Sequence, residues 1–116
     1  SRDMIIRMYE LSKMYYLEKI TKQDVINEMV DKYSMNAGSI NHYVEAYCQL
    51  RKGEKYTRTI NKTAVELYLE RIYKEEGKDK LKIALKSLLE SLEYYESLNH
   101  GNLPSIRKII KKYSEI

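Results

Sequence analysis

Residues that interrupt helices are scarce in this chain, which has one proline and four glycines in 116 residues. A β-sandwich or barrel needs a turn about every ten residues and therefore many more turn-forming residues. Hydrophobic residues make up 43% and charged residues 33% of the chain, a balance typical of folded rather than disordered sequences. We therefore predict an all-α fold, a compact bundle of five to six helices over residues 1–116, with a length that suits a single domain.

Three helices are predicted in the first half of the chain, because apolar residues recur there at three- and four-residue steps. The first carries Met4, Ile5, Met8, Leu11 and Tyr15, and its stripe extends toward Ile20. The second is predicted to begin at Thr21, which with Asp24 has the spacing of a capping box. The third begins after Asn36 and ends at Gly53. The expected inward residues of the second and third helices are Val25, Ile26, Met29, Val30, Tyr33, Ile40, Tyr43, Val44, Tyr47 and Leu50.

Three more helices are predicted in the second half, after a charged loop at Glu54–Arg58. The fourth starts near Thr59 and runs to Gly77, a residue suited to a helix C-terminus. The fifth runs from about Asp79 to Tyr95 and is broken at Asn99-His100-Gly101, and the sixth opens at Pro104. The expected inward residues of the last three helices are Ala64, Leu67, Tyr68, Ile72, Leu81, Ala84, Leu85, Leu88, Leu92, Tyr95, Ile106, Ile109, Ile110 and Tyr113.

No catalytic, metal or membrane-spanning signal stands out in the sequence. Cys48 is the single cysteine, and His42, six residues away, lies nearly opposite it around a helix, so the two form no local nucleophile–base pair. One Cys and two His make no zinc motif, and no phosphate-binding glycine loop occurs. No apolar run approaches the length of a membrane span. We therefore expect no enzyme activity within these residues, no cofactor or metal, no membrane partner and a cytoplasmic location.

The segment Glu28–Val44, which reads EMVDKYSMNAGSINHYV, resembles a helix-turn-helix. In this interpretation Met29 and Val30 pack the first helix, Ser34-Met35 forms the turn, and Asn36 caps the second helix. Ser34 stands where such motifs usually have Gly, and Val30 is larger than the usual small residue. A helix-turn-helix presents the start of its second helix to the DNA major groove. A structural αα-hairpin with a capped second helix has the same spacing and remains the alternative.

The predicted second helix of this hairpin carries candidate groove-contacting residues. Asn41 can bond adenine through both atoms of its amide group, and Glu45 can accept a hydrogen bond from cytosine. The small residues Ala37 and Gly38 allow the DNA to approach the helix backbone closely. The basic residues that follow can neutralise phosphates. The candidate nucleic-acid-binding residues are Asn36, Gly38, Ser39, Asn41, His42, Arg51, Lys52, Lys55, Tyr56, Arg58 and Asn61. A candidate second anchor comprises Arg107, Lys108, Lys111 and Lys112.

From Ser39 onward the chain resembles a helical module that precedes HNH nuclease domains in bacterial restriction-type endonucleases. The resemblance rests on INHYV, on RKGEKYTRTIN, on YLERI and on the L-x-x-AL…YY pattern of the fifth helix. It implies a DNA-recognition module that serves an attached or partner nuclease, with Tyr56, Arg58 and Asn61 in a constrained element. The His-Asn-His constellation of the nuclease itself does not occur. Because the chain opens with Ser1 rather than Met, we expect a trimmed chain or the N-terminal part of a longer protein.

Two functions from different classes follow from these patterns. The first is binding of double-stranded DNA, with a homodimer as a candidate assembly because helix-turn-helix proteins often dimerise on two half-sites. The second is a protein-interaction or oligomerisation module that uses the amphipathic first or fifth helix, with its exposed Tyr and Met side chains, as a partner face. RNA binding ranks below both, because no RNA-module signature occurs. For Tyr56 the alternative to a binding role is a ring that tucks into the core of an ordinary connector.

Overall fold

The computed structural model describes residues 1–98 and 103–116, which form six helices and no strand. The predicted all-α class is therefore confirmed. By internal contacts the chain divides into two units, Ser1–Cys48 and Gln49–Ile116. The helices, in chain order, are α1 (Arg2–Tyr16), α2 (Lys22–Tyr33), α3 (Ala37–Lys52), α4 (Lys62–Glu76), α5 (Lys78–Ser97) and α6 (Pro104–Ser114).

The core of the first unit follows the predicted stripe of α1. Ile5, Met8 and Leu11 are buried, and so are the neighbouring Tyr9 and Ser12. The helix ends at Tyr16 and does not extend toward Ile20, because Glu18 adopts a left-handed conformation with φ of 61°. A bidentate ion pair joins α1 to α2: Arg7 donates from Nε to Glu28 Oε2 at 2.5 Å and from Nη2 to Oε1 at 2.9 Å.

Helix α2 begins as predicted and buries a narrower face than predicted. Thr21 Oγ1 accepts from the Asp24 amide at 3.1 Å, and Asp24 Oδ2 accepts from the Thr21 amide at 2.9 Å, which completes the capping box. Val25 and Met29 are fully buried, but Val30 is 41% exposed. The expected packing of Val30 is therefore wrong. Val25 and Met29 lie about 40° apart around the helix, whereas Val30 lies about 100° beyond Met29, on the solvent side.

Helix α3 buries all five of its predicted inward residues, Ile40, Tyr43, Val44, Tyr47 and Leu50. Within the first unit the Tyr47 ring makes edge-on contacts with two tyrosines of α1. The ring centroids lie 5.4 Å from that of Tyr9 and 6.0 Å from that of Tyr16. Aromatic pairs at these separations and angles stabilise a core beyond their buried area.

The second unit contains the end of α3, the loop 53–61 and helices α4 to α6. Helix α4 starts after Asn61, later than the predicted start near Thr59, because the Asn61 side chain caps it by accepting from the Ala64 amide at 2.8 Å. Gly77 ends α4 with φ of 93°. Pro104 occupies the first position of α6, as predicted. The expected break at Asn99-His100-Gly101 lies outside the described residues.

The predicted stripes of α4 to α6 form the core of this unit. Leu85, Tyr95, Ile106 and Ile110 are only half-buried. The remaining predicted residues are buried, namely Ala64, Leu67, Tyr68, Ile72, Leu81, Ala84, Leu88, Leu92, Ile109 and Tyr113.

Candidate nucleic-acid interface

Three residues, Ser34 to Asn36, connect α2 to α3. Ser34 adopts φ of 55° and ψ of 31°, the left-handed conformation that the usual Gly of this position supplies. Its amide donates to the Val30 carbonyl at 3.0 Å, and the Met35 amide donates to the Met29 carbonyl at 3.4 Å. These bonds satisfy carbonyls at the end of α2, so a serine is held in a conformation that serine seldom adopts.

The first turn of α3 is open to solvent and capped as predicted. Asn36 Oδ1 accepts from the Ser39 amide at 2.8 Å, and Ala37 and Gly38 are exposed. A Cβ atom on Gly38 would lie 3.3 Å from Asn36 Oδ1, so a larger residue there would press on the cap. The amides of Ala37 and Gly38 are the first two of the helix and lie too early for a partner within it.

Asn41 and His42, two of the predicted groove-contacting residues, are less exposed than Ala37 and Gly38. Asn41, Ser39 and His42 are half-buried, whereas Glu45 is exposed. The Asn41 Oδ1 atom is buried and accepts no hydrogen bond from the described residues. The two-atom contact with adenine predicted for Asn41 therefore requires a conformation other than this one, because its amide oxygen cannot reach a base edge.

Of the four predicted phosphate-contacting cations, which all lie in the second unit, one has a buried side chain and three are exposed. Arg51 is withdrawn from the predicted interface: its side chain is only 8% exposed, and its Nη2 lies 3.4 Å from Glu76 Oε1. Lys52, Lys55 and Arg58 are exposed. Lys55 Nζ lies 4.4 Å from the centroid of the Tyr94 ring, a cation–π contact that leaves the charge accessible.

Tyr56 lies in the core, which is the alternative that the sequence left open. Its side chain is 5% exposed, and burial raises the pKa of its hydroxyl well above the usual value. The prediction that Tyr56 contacts nucleic acid is therefore corrected: a base cannot stack on a ring that is covered by protein. Asn61 is exposed, but its carboxamide oxygen is used in the cap of α4.

Hydrogen bonds to α5 hold the loop 53–61 in place. Ser87 Oγ donates to the Glu54 carbonyl at 2.5 Å, and the Tyr56 amide donates to Ser91 Oγ at 2.9 Å. Lys86 Nζ donates to the Gly53 carbonyl at 2.9 Å. Both serines are buried. The loop therefore carries Lys55 and Arg58 on a fixed support.

Two of the four cations in the predicted second anchor on α6 form ion pairs with acidic residues of the same unit. Arg107 forms an ion pair with Glu96, and Lys112 Nζ lies 2.5 Å from Glu66 Oε2. The Lys112 hydrogen bond lowers the pKa of the Glu66 carboxyl. Lys108 and Lys111 are exposed and have no ion pair within the part of the chain that the structure describes.

A cavity in the second unit was not predicted from the sequence. It has a volume of about 310 Å³ and lies between the loop 53–61, the start of α4, the C-terminal half of α5 and the start of α6. Its walls are mainly apolar, and they come from three stretches that lie far apart in the sequence, 56–65, 88–95 and 103–106. No sequence signal could have located it, because the space exists only once these separate segments have packed.

The structure was also searched for a metal site, a reactive cysteine and a membrane-spanning helix. Across residues 1–98 and 103–116, no three His, Cys, Asp or Glu side chains come together as metal ligands would. Cys48, on α3, is half-buried. None of the described helices has the length and apolar character to cross a bilayer. Comparison with known proteins gave no match: no protein-family model, curated sequence or solved structure is significantly similar to this chain.

Proposed function

We propose that this chain binds double-stranded DNA, mainly through the phosphate backbone. The observation that carries the proposal is the set of three exposed cations, Lys52, Lys55 and Arg58, at the end of α3 and on the loop that α5 holds. None of the three forms an ion pair with a described residue, and Glu54 is the one acidic residue among positions 52–58. Cations on a fixed backbone lose little entropy when they meet phosphates, which favours binding.

The first unit supports the proposal separately. The exposed start of α3 offers two unpaired backbone amides at the positive end of a helix dipole, in a turn with no acidic residue. Such helix ends accept phosphate oxygens without reading bases. Because Asn41 is turned partly inward, we expect binding that depends little on DNA sequence.

The resemblance to a module that precedes HNH nucleases favours, as part of this proposal, a role as the DNA-holding module of a nuclease. In that role the chain holds duplex DNA for an attached or partner nuclease, and cleavage needs residues outside this chain. We propose the DNA-binding part first, since it is the part that the exposed cations favour.

The test is a titration of fluorescent random-sequence duplex at about 50 and 200 mM salt, read by anisotropy. Three phosphate contacts predict a slope of log affinity against log salt that is steeper by about 2.7 than in a protein without them. The triple variant Lys52→Ala, Lys55→Ala, Arg58→Ala should therefore bind more weakly and lose most of that slope.

The matched control is the triple variant Lys78→Ala, Lys80→Ala, Lys82→Ala, which removes the same charge from exposed positions on α5. The control should retain most of the affinity. An equal loss of affinity in both variants would mean that only the net charge matters, and would contradict the assignment of the phosphate contacts to Lys52, Lys55 and Arg58. Absence of duplex affinity together with a mass in light scattering that rises with concentration would favour the interaction module instead.

A further inference from the structure

The cavity of the second unit has the size and lining of a small-molecule site. An apolar cavity of about 150 Å³ can hold one benzene molecule, so a volume of about 310 Å³ fits an organic molecule of about twelve non-hydrogen atoms. Its apolar walls include Val65, Leu88, Leu92 and Ile106. An apolar ligand body would replace open space with contacts along these walls.

The polar groups of the cavity point to the charge of the ligand. Among the described residues that line it, Lys62 is the one charged side chain, and none of them carries a carboxylate. Lys62 has no ion pair with any residue in the described ranges 1–98 and 103–116. The start of α6 also lines the cavity and lacks a side-chain cap, so the Ser105 amide remains for an acceptor.

Tyr56 supplies a second, independent observation. This residue lines the cavity and is more than nine-tenths buried. Its backbone amide bonds Ser91, but no described residue bonds its hydroxyl, and burial alone accounts for the raised pKa of that group. The hydroxyl oxygen itself is not fully covered by protein, so it remains available to an acceptor atom in the cavity.

We propose that this cavity binds an amphipathic organic anion, a carboxylate with an aliphatic or aromatic body of about eight carbons. The body lies against the apolar walls, the carboxylate faces Lys62 and the start of α6, and the Tyr56 hydroxyl is a further donor. The site is independent of the proposed DNA contacts, because its ligand-binding residues are none of the three exposed cations.

The test uses octanoate and its uncharged counterpart 1-octanol, followed by chemical shifts in amide correlation spectra of the whole chain. We expect octanoate to bind with a dissociation constant of about 1 mM and to shift amides of the loop 53–61 and the start of α6. Lys62→Gln should weaken octanoate binding by about fivefold to tenfold and leave octanol binding unchanged. Lys80→Gln, the same change on an exposed part of α5, should alter neither.

Ile106→Trp fills the cavity from its half-buried rim and should abolish binding of both molecules while the spectrum stays folded. Octanol binding as tight as that of octanoate would overturn the anionic character of the site. Shifts confined to other parts of the chain, or binding that Ile106→Trp leaves unchanged, would overturn the site itself.

Discussion

Replacement of Ser91 by alanine tests whether the loop 53–61 depends on a single buried hydroxyl. Ser91 Oγ accepts from the Tyr56 amide at 2.9 Å and donates to the Ser87 carbonyl at 2.8 Å. Without it the Tyr56 amide stays buried with no acceptor, which costs about 1–3 kcal/mol. Alanine regains about 0.5 kcal/mol through its higher helix propensity. The expected net loss in the free energy of unfolding is therefore about 1.5 kcal/mol.

The assay is urea unfolding, with a thermal scan alongside it. A loss of about 1.5 kcal/mol in a chain of this length lowers Tm by roughly 6 °C. Ser97→Ala is the matched control, because Ser97 Oγ bonds the Tyr94 carbonyl at the exposed end of the same helix. That control should stay within about 0.5 kcal/mol of the parent.

A Ser91→Ala protein as stable as the parent would refute this reasoning. It would mean that the Tyr56 amide bonds water instead, and hence that the loop backbone moves. Amide exchange at Tyr56 distinguishes this outcome, since a shifted loop exposes the amide to solvent and exchanges it faster.

Three further outcomes test other parts of the fold. Gly53→Ala should lower the free energy of unfolding by about 1–2 kcal/mol in urea titrations, because φ is 72° there and a Cβ atom would lie 3.1 Å from Ile83 Cγ2; an unchanged midpoint would contradict the strain. Arg7 lowers the pKa of the Glu28 carboxyl, so their pair stabilises the fold above the ordinary Glu pKa and loses this effect as pH falls through the lowered value. Arg7→Met should then cost about 1 kcal/mol near pH 7 and little once the pH lies below the lowered pKa of Glu28, and an equal cost on both sides would contradict the linkage. Val30→Ala should change the free energy of unfolding by less than about 0.5 kcal/mol, whereas a loss above 2 kcal/mol would mean that Val30 is packed after all.

The parts of the fold that the sequence predicted correctly are those decided by near neighbours. The capping box of Thr21 and Asp24 needs only residues three apart, and the core face of α5 recurs at regular spacing from Leu81 to Leu92. Val30 was misassigned because a stripe of two adjacent apolar residues does not tell which of them faces inward. That choice is made by packing against other elements, which periodicity does not contain.

The candidate site was predicted less well because its decisive contacts join distant residues. Arg51 and Glu76 are 25 positions apart, and Tyr56 and Ser91 are 35 apart. A basic residue beside other basic residues looks like a surface cation, and a serine inside an apolar stripe looks like an interruption. Only the packed structure shows that this arginine is paired and that this serine supports a loop.

Buried and exposed side chains alternate along the loop 53–61, and this affects how a binding experiment must be interpreted. Tyr56 and Ile60 are buried, while Lys55 and Arg58 lie on the exposed side between and beside them. The positions of the cations therefore depend on side chains that are buried in the protein. A variant such as Ser91→Ala that weakens DNA binding would report a displaced loop rather than a contact at Ser91. A phosphate contact is tested directly only by a variant that removes one cation and leaves the stability of the fold unchanged. The salt dependence of binding should then fall only by the share of that one cation.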